Sequence, residues 1–293
     1  MNKVMSNKKY ILIFMLPAFL VYVTFALAPM FYNLYLSFFR TDLMSPKSFI
    51  AFKNYTNLMK DQFFRMSLRN NMLLVVGSLI AHLPLALLFG NAIFNKVKGS
   101  KFYQTTYFLP TVICGVAVGM MFNFVYHSEF GLVNAFLDFL NLGDWKRQWL
   151  SEKETVMICL VVVVMWRFVG YHMVIQLAAM RAIPQSLYES TEIDGANGFQ
   201  KFWYITFPLI KHIIRIDAIL IITGSLKYFD LIFAMTNGGP SHAGEVLATY
   251  MYTQGFRSLK FGYASAIGVI LLALCVIAVV LSNTIFKSEE VEY

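Results

Sequence analysis

The chain has 293 residues, a formal net charge of +8, and 58% apolar against 14% charged residues. A soluble domain carries about 45–50% apolar and about 25% charged residues, so a soluble fold is excluded, and so is disorder. In so apolar a chain the +8 reads as lipid-headgroup and cytoplasmic-loop charge rather than nucleic-acid binding.

Lipid offers no partners to backbone N–H and C=O groups, so spanning segments must be helices or a closed barrel. Runs of about 20 or more apolar residues without two-residue alternation predict helices, and the fold class is an all-α polytopic membrane protein. Lys3, Lys8 and Lys9 precede an apolar run from Tyr10 to Phe39. That run is too long for a signal-peptide core and has no small-x-small cleavage site, so it predicts a retained first span over 10–37. Next, Phe49–Asn71 mixes Phe, Leu and Met with Lys, Arg and Asp, which fits an amphipathic helix on the outer surface or a solvated loop. Further spans are expected at 70–94, 102–126, 155–180 and 261–286, the last without a charge. Pro17, Pro29, Pro84 and Pro110 lie in or near spans, where they can kink helices. Cys114, Cys159 and Cys275 sit in apolar runs and are expected as small buried hydrophobes.

The stretch 209–235 is ambiguous: its longest uncharged run, Ala218 to Leu226, is nine residues. Hydropathy alone leaves it spanning or re-entrant. If it spans, there are six helices and both termini share a side. With the N-terminus inside, inner and outer segments hold 11 basic residues each, and Arg167 and Lys227 lie within spans. Only local density, in Lys96, Lys98 and Lys101, favours that orientation.

The 182–208 loop carries the clearest local design. Pro184 ends one helix, and Ser186 to Glu189 has the spacing of a capping box opening another. Gly195 supplies a stop after Asp194. A second short helix is expected from Phe199 to Phe207, with Pro208 opening the fifth span. Alone, this describes a capped connector.

Glu189-Ser190-Thr191, Asp194-Gly195-Ala196, Ile205 and Pro208 resemble the EAA loop of bacterial ABC importer permeases, with Ser190 and Thr191 in place of two alanines. Phe49, Asn54 and Tyr55 resemble the segment leading into that family's second span, with Ala51 where Gly is usual. Phe229-Asp230-Leu231-Ile232, Asn237-Gly238-Gly239-Pro240, Tyr250 and 261–266 resemble its carbohydrate branch. The resemblance covers about residues 10–287 and implies a six-span, type I (MetI-like) permease. It divides the chain into 1–69, a core at 70–287 and a tail at 288–293. It places both termini in the cytoplasm of a bacterial inner membrane. It also implies ATPase coupling through Glu189, Ser190, Thr191, Asp194, Gly195, Ala196 and Phe199. The implied partners are a second homologous permease, two ATPase domains carrying ATP-Mg, and an extracellular substrate-binding protein.

The chain itself has no phosphate loop, nucleophile elbow or metal-spaced His/Cys cluster, so no catalytic residue, metal or cofactor is expected on it. His82, His127, His172, His212 and His242 are scattered and are expected as hydrogen-bonded structure. Lys227 and Asp230, three apart, can pair on one helix face, either as a structural ion pair or lining the path. Sugar recognition combines aromatic planes with polar groups, and the fourth and fifth spans offer these around Gly170, Tyr171, Gly224, Ser225, Tyr228 and Asp230. In maltose-type relatives the corresponding spans bind sugar. An ion-coupled secondary transporter would need inverted repeats and midplane ion sites, which the sequence does not display.

Overall fold

The computed structural model describes residues 8–42 and 46–285. Lys3 and the expected tail 288–293 lie outside the described residues. The chain forms two compact units, residues 1–61 with 251–270, and residues 62–250 with 271–293.

In the first unit, α1 (Lys8–Tyr22) runs through a wide turn at Val23–Leu27 into α2 (Ala28–Leu36). The wide turn lies directly ahead of Pro29, and the Ala28 N–H bonds the Val23 carbonyl five residues back. A proline ring collides with a normally placed carbonyl and donates nothing, and the wide turn accommodates both defects. Phe14, Phe19, Phe25 and Phe31 point outward, as a lipid-facing helix requires.

A two-residue antiparallel pair follows, β1 (Phe39–Arg40) with β2 (Ser48–Phe49), in register Phe39 to Phe49. This small ladder was not expected of an all-helical chain. The Asn-Tyr of the following helix, α3 (Lys53–Lys60), closes the turn. Asn54 Nδ2 donates to the Ser37 and Phe39 carbonyls at 2.7 and 3.0 Å, and Tyr55 Oη meets Ser37 Oγ at 2.7 Å. Ala51 has φ +48, a left-handed conformation that explains why glycine suits this place. The amphipathic helix expected over 49–71 is therefore confined to 53–60, because residues from Gln62 onward join the next long helix.

The second unit is built on α4 (Gln62–Phe94) and α8 (Val156–Ala182), which lie against each other along a core of Leu74, Leu160, Val163 and Val164. The expected third span is not one straight helix. It is α5 (Ser100–Val112) and α6 (Gly115–Val125), bent by 101°. Ile113 and Cys114 are extended at the break, so Cys114 is exposed rather than buried. Apolar composition alone cannot show such a break, because the carbonyl it frees is satisfied from another helix. Arg167 Nη2 donates to the Ile113 oxygen at 3.0 Å.

After the short helix α7 (Leu132–Phe139) and α8 come α9 (Gln185–Ile193), α10 (Gly198–Lys201) and α11 (Phe207–Leu226). α11 packs on α4 and α8, and α12 (Asp230–Thr236) packs on α6. The stretch 209–235, which hydropathy left open as spanning or re-entrant, thus breaks at 227–229. Asn71 Nδ2 collects the Ser225 and Leu226 carbonyls at 3.2 Å each, ending α11 there. The chain finishes with α13 (Leu247–Tyr252) and α14 (Phe261–Ile285).

Among the described residues, Leu12–Leu36, Gln62–Phe94, Val156–Ala182 and Phe261–Ser282 are long and apolar enough to cross a membrane, and the bent α5–α6 pair is a fifth candidate. α11 carries Lys211, Arg215 and Asp217 and falls short on composition.

Candidate functional site

Two sites emerge in the second unit, the 182–208 loop and a cavity with polar and aromatic residues in its lining. In the loop, α9 opens with Pro184 at the N-cap, which places Ser186 at the second helical position. Its hydroxyl is past the free N–H groups, and the expected Ser186–Glu189 capping box does not form. A reciprocal box forms instead at α10, where Gln200 N–H donates to Asn197 Oδ1 and Asn197 N–H to Gln200 Oε1, both at 2.9 Å.

Gly195 has φ +77 and open space where a Cβ would sit. Glycine is needed there for the backbone turn rather than for packing within this chain. Ser190 Oγ and Thr191 Oγ1 fold back on the carbonyls of Leu187 and Tyr188, at 3.1 and 2.8 Å. Both hydroxyls are thereby spent on α9, and the residues present small surfaces, as alanines would. Tyr188 anchors the helix. It is buried with Met180, Ile183 and Ile210, and its Oη meets Thr206 Oγ1 at 3.0 Å. Glu189 and Asp194 stay exposed, and Ile193 and Phe199 are 88% and 73% exposed. An anchored inner face and an apolar, acidic outer face suit a helix that docks on another protein.

The expected separate helix from Phe199 to Phe207 is not an independent element. α10 passes through a wide turn at Phe202–Thr206 into α11, with Phe207 N–H bonded to the Phe202 carbonyl just ahead of Pro208. This is the device seen before Pro29. It makes the loop's second arm continuous with α11.

The cavity, of about 360 Å³, lies between α4, α8 and α11 and is lined by Tyr171, Gly224, Ser225 and Tyr228 among others. Four of the six expected path residues therefore meet. The other two do not line it. Gly170 is buried against α5, where a Cβ would come within 1.9 Å of the Tyr107 oxygen. Asp230 does not pair with Lys227, because α11 ends at Leu226 and the two no longer share a helix face. Its ion-pair partner is Arg167, at 3.5 Å. Arg167 Nη1 also donates to Tyr228 Oη at 2.8 Å, so the guanidinium ties the α5–α6 break to the segment after α11.

Sequence reasoning missed the polar groups behind the cavity. Asp217, read as a flanking charge, is fully buried and accepts from His172 Nδ1 at 2.6 Å and Gln176 Nε2 at 2.7 Å. His172 and Gln176 are four residues apart and hence on one helix face, a spacing that could have signalled them. His82 also lines the cavity, with Nδ1 2.8 Å from the Ser78 oxygen. These two histidines are hydrogen-bonded within the bundle, as expected.

The chain matches the family of binding-protein-dependent transport system inner membrane components over residues 9–288. It is 34% identical over 290 residues to the probable ABC transporter permease protein YurN of Bacillus subtilis, covering 98% of this chain and 99% of that one. It is 30% identical over 290 residues to the arabinooligosaccharides transport system permease protein AraP of the same organism, covering 97% and 91%. A solved bacterial ABC transporter involved in import of the acidic polysaccharide alginate superposes with a TM-score of 0.81 at 26% identity, covering 96% and 97% of the two chains. The chain belongs to the family of binding-protein-dependent transport system inner membrane components and is a permease subunit of the ABC transporter class.

Proposed function

We propose that this permease is one of two homologous membrane subunits of an ATP-driven importer for a sugar, oligosaccharide or glycoside. The observation that carries this reading is the full-length family match joined to the geometry of the 182–208 loop. In the proposal, ATP-Mg binds two partner ATPase domains, and α9 seats on one of them through Glu189, Ser190, Thr191, Asp194, Gly195, Ala196 and Phe199. The protein lies in a bacterial cytoplasmic membrane as six spans, α11 included, with both termini and the loop inside. An extracellular binding protein delivers the solute. Closure of the ATPases moves α9, and the continuous run into α11 carries the motion to the cavity.

The saccharide reading is supported by the relatives' named substrates and by the cavity itself. Tyr171 and Tyr228 offer ring faces, and Thr223 and Ser225 offer hydroxyls. Lys227 lines the same cavity without a carboxylate partner among the described residues, which favours an anionic solute, such as glycerol-3-phosphate, as the second reading. Uptake of radiolabelled malto-, arabino- and uronate oligosaccharides and of glycerol-3-phosphate is compared in cells with and without the permease. Permease-dependent uptake of a saccharide supports the main reading. Uptake of glycerol-3-phosphate alone selects the second.

A further inference from the structure

Two histidines line the cavity, but only one has a nitrogen to offer. Both ring nitrogens of His82 face carbonyl oxygens, Ser78 at 2.8 Å and Val164 at 3.4 Å. His172 is bonded through Nδ1 to Asp217 at 2.6 Å, and among the described residues its Nε2 has no hydrogen-bond partner. The residue sits in the wall beside Tyr171 and Ser225. Behind it, the two carboxylate oxygens of Asp217 are divided between His172 and Gln176.

We infer that His172 is a substrate-contacting residue whose Nε2 hydrogen-bonds a solute hydroxyl, and that Asp217 and Gln176 are positioning residues that fix the angle of its ring. A carboxylate can only accept, so Nδ1 carries the proton of that bond and Nε2 is the ring nitrogen left for the cavity. A ring nitrogen held this way discriminates for a hydroxyl, which pairs with it where a deoxy carbon does not. Gln176 keeps the second Asp217 oxygen occupied, which prevents the carboxylate from rotating away from the ring. The arrangement selects among polyhydroxylated solutes by the presence of one hydroxyl. This rests on the saccharide reading above.

The test uses the assembled transporter and whichever saccharide the uptake panel identifies, with its set of monodeoxy derivatives. In the unaltered protein, one deoxy position is expected to raise KM about tenfold, the effect of one lost hydrogen bond. His172→Asn keeps a side-chain amide near the Nδ1 position to meet Asp217 but lacks the cavity-facing atom. It is expected to raise the parent's KM about tenfold and to erase the penalty at that one deoxy position. A merely structural histidine would slow all derivatives in parallel and preserve the penalty, and that result overturns the inference. If His172→Asn does not assemble, a diazirine derivative of the same saccharide is photolysed in the unaltered transporter. Label on the α8 peptide containing His172 supports the contact, and label confined to other segments refutes it. Failure of every saccharide in the panel would instead refute the saccharide reading, so the two failures are distinguishable.

Discussion

Gly115 meets Asp230 so closely that a Cβ on the glycine would fall 1.8 Å from Asp230 Oδ2 and 2.5 Å from Arg167 Nη1. The bend between α5 and α6 thus depends on a missing side chain as much as on the Arg167 bonds. Gly115→Ala should force the Arg167–Asp230 pair or α6 aside and cost about 1–3 kcal/mol, the usual range for overpacking. Thermal unfolding of the purified complex measures this, and an unchanged midpoint would mean that the site is looser than described.

The same cluster predicts an order of severity. Arg167 is mostly buried and bonded to three oxygens, whereas the Asp230 side chain is 43% exposed. Arg167→Met strips all three bonds and leaves the Ile113 carbonyl unsatisfied, a loss of about 2–4 kcal/mol. Asp230→Asn keeps an acceptor beside a half-exposed pair and should cost less than about 1 kcal/mol. Equal losses would contradict this assignment.

Ala51 offers a gain. At φ +48 an alanine pays the left-handed penalty of about 1–2 kcal/mol that a glycine avoids, less the glycine's extra unfolded-state entropy. Ala51→Gly should therefore stabilise the protein by about 0.5–1 kcal/mol, measured by chemical denaturation in detergent.

On the loop, conformation and anchoring separate. Gly195→Asn tolerates φ +77 and should retain transport, whereas Gly195→Val, β-branched at positive φ, should abolish transport while membrane insertion persists. Tyr188→Phe loses one hydrogen bond to Thr206, worth about 1 kcal/mol. Tyr188→Ala empties a buried site beside Met180 and Ile210, and should leave ATP hydrolysis running without uptake. Uptake and hydrolysis measured together distinguish these outcomes.

What the sequence displayed, and what it hid, follows from the range of the forces involved. Long apolar runs announced the first, second, fourth and last spans because each is set by its own composition. Gly195 was legible because a positive φ is a local demand. The α5–α6 break was hidden because the carbonyl at Ile113 is satisfied by Arg167, 54 residues away. Asp217 looked like a flanking charge because nothing adjacent in sequence neutralises it, and its partners stand on another helix. The Ser186–Glu189 spacing fitted a capping box, but Pro184, fixed in an extended conformation, started the helix two residues early.

The most direct test of the whole account is the energy source for uptake. The permease is reconstituted into proteoliposomes with its partner permease, ATPase and loaded binding protein, and labelled saccharide accumulation is followed. The account predicts accumulation that requires internal ATP and is lost in Gly195→Val. Accumulation driven by an imposed proton or sodium gradient, without ATP or the ATPase, would contradict it.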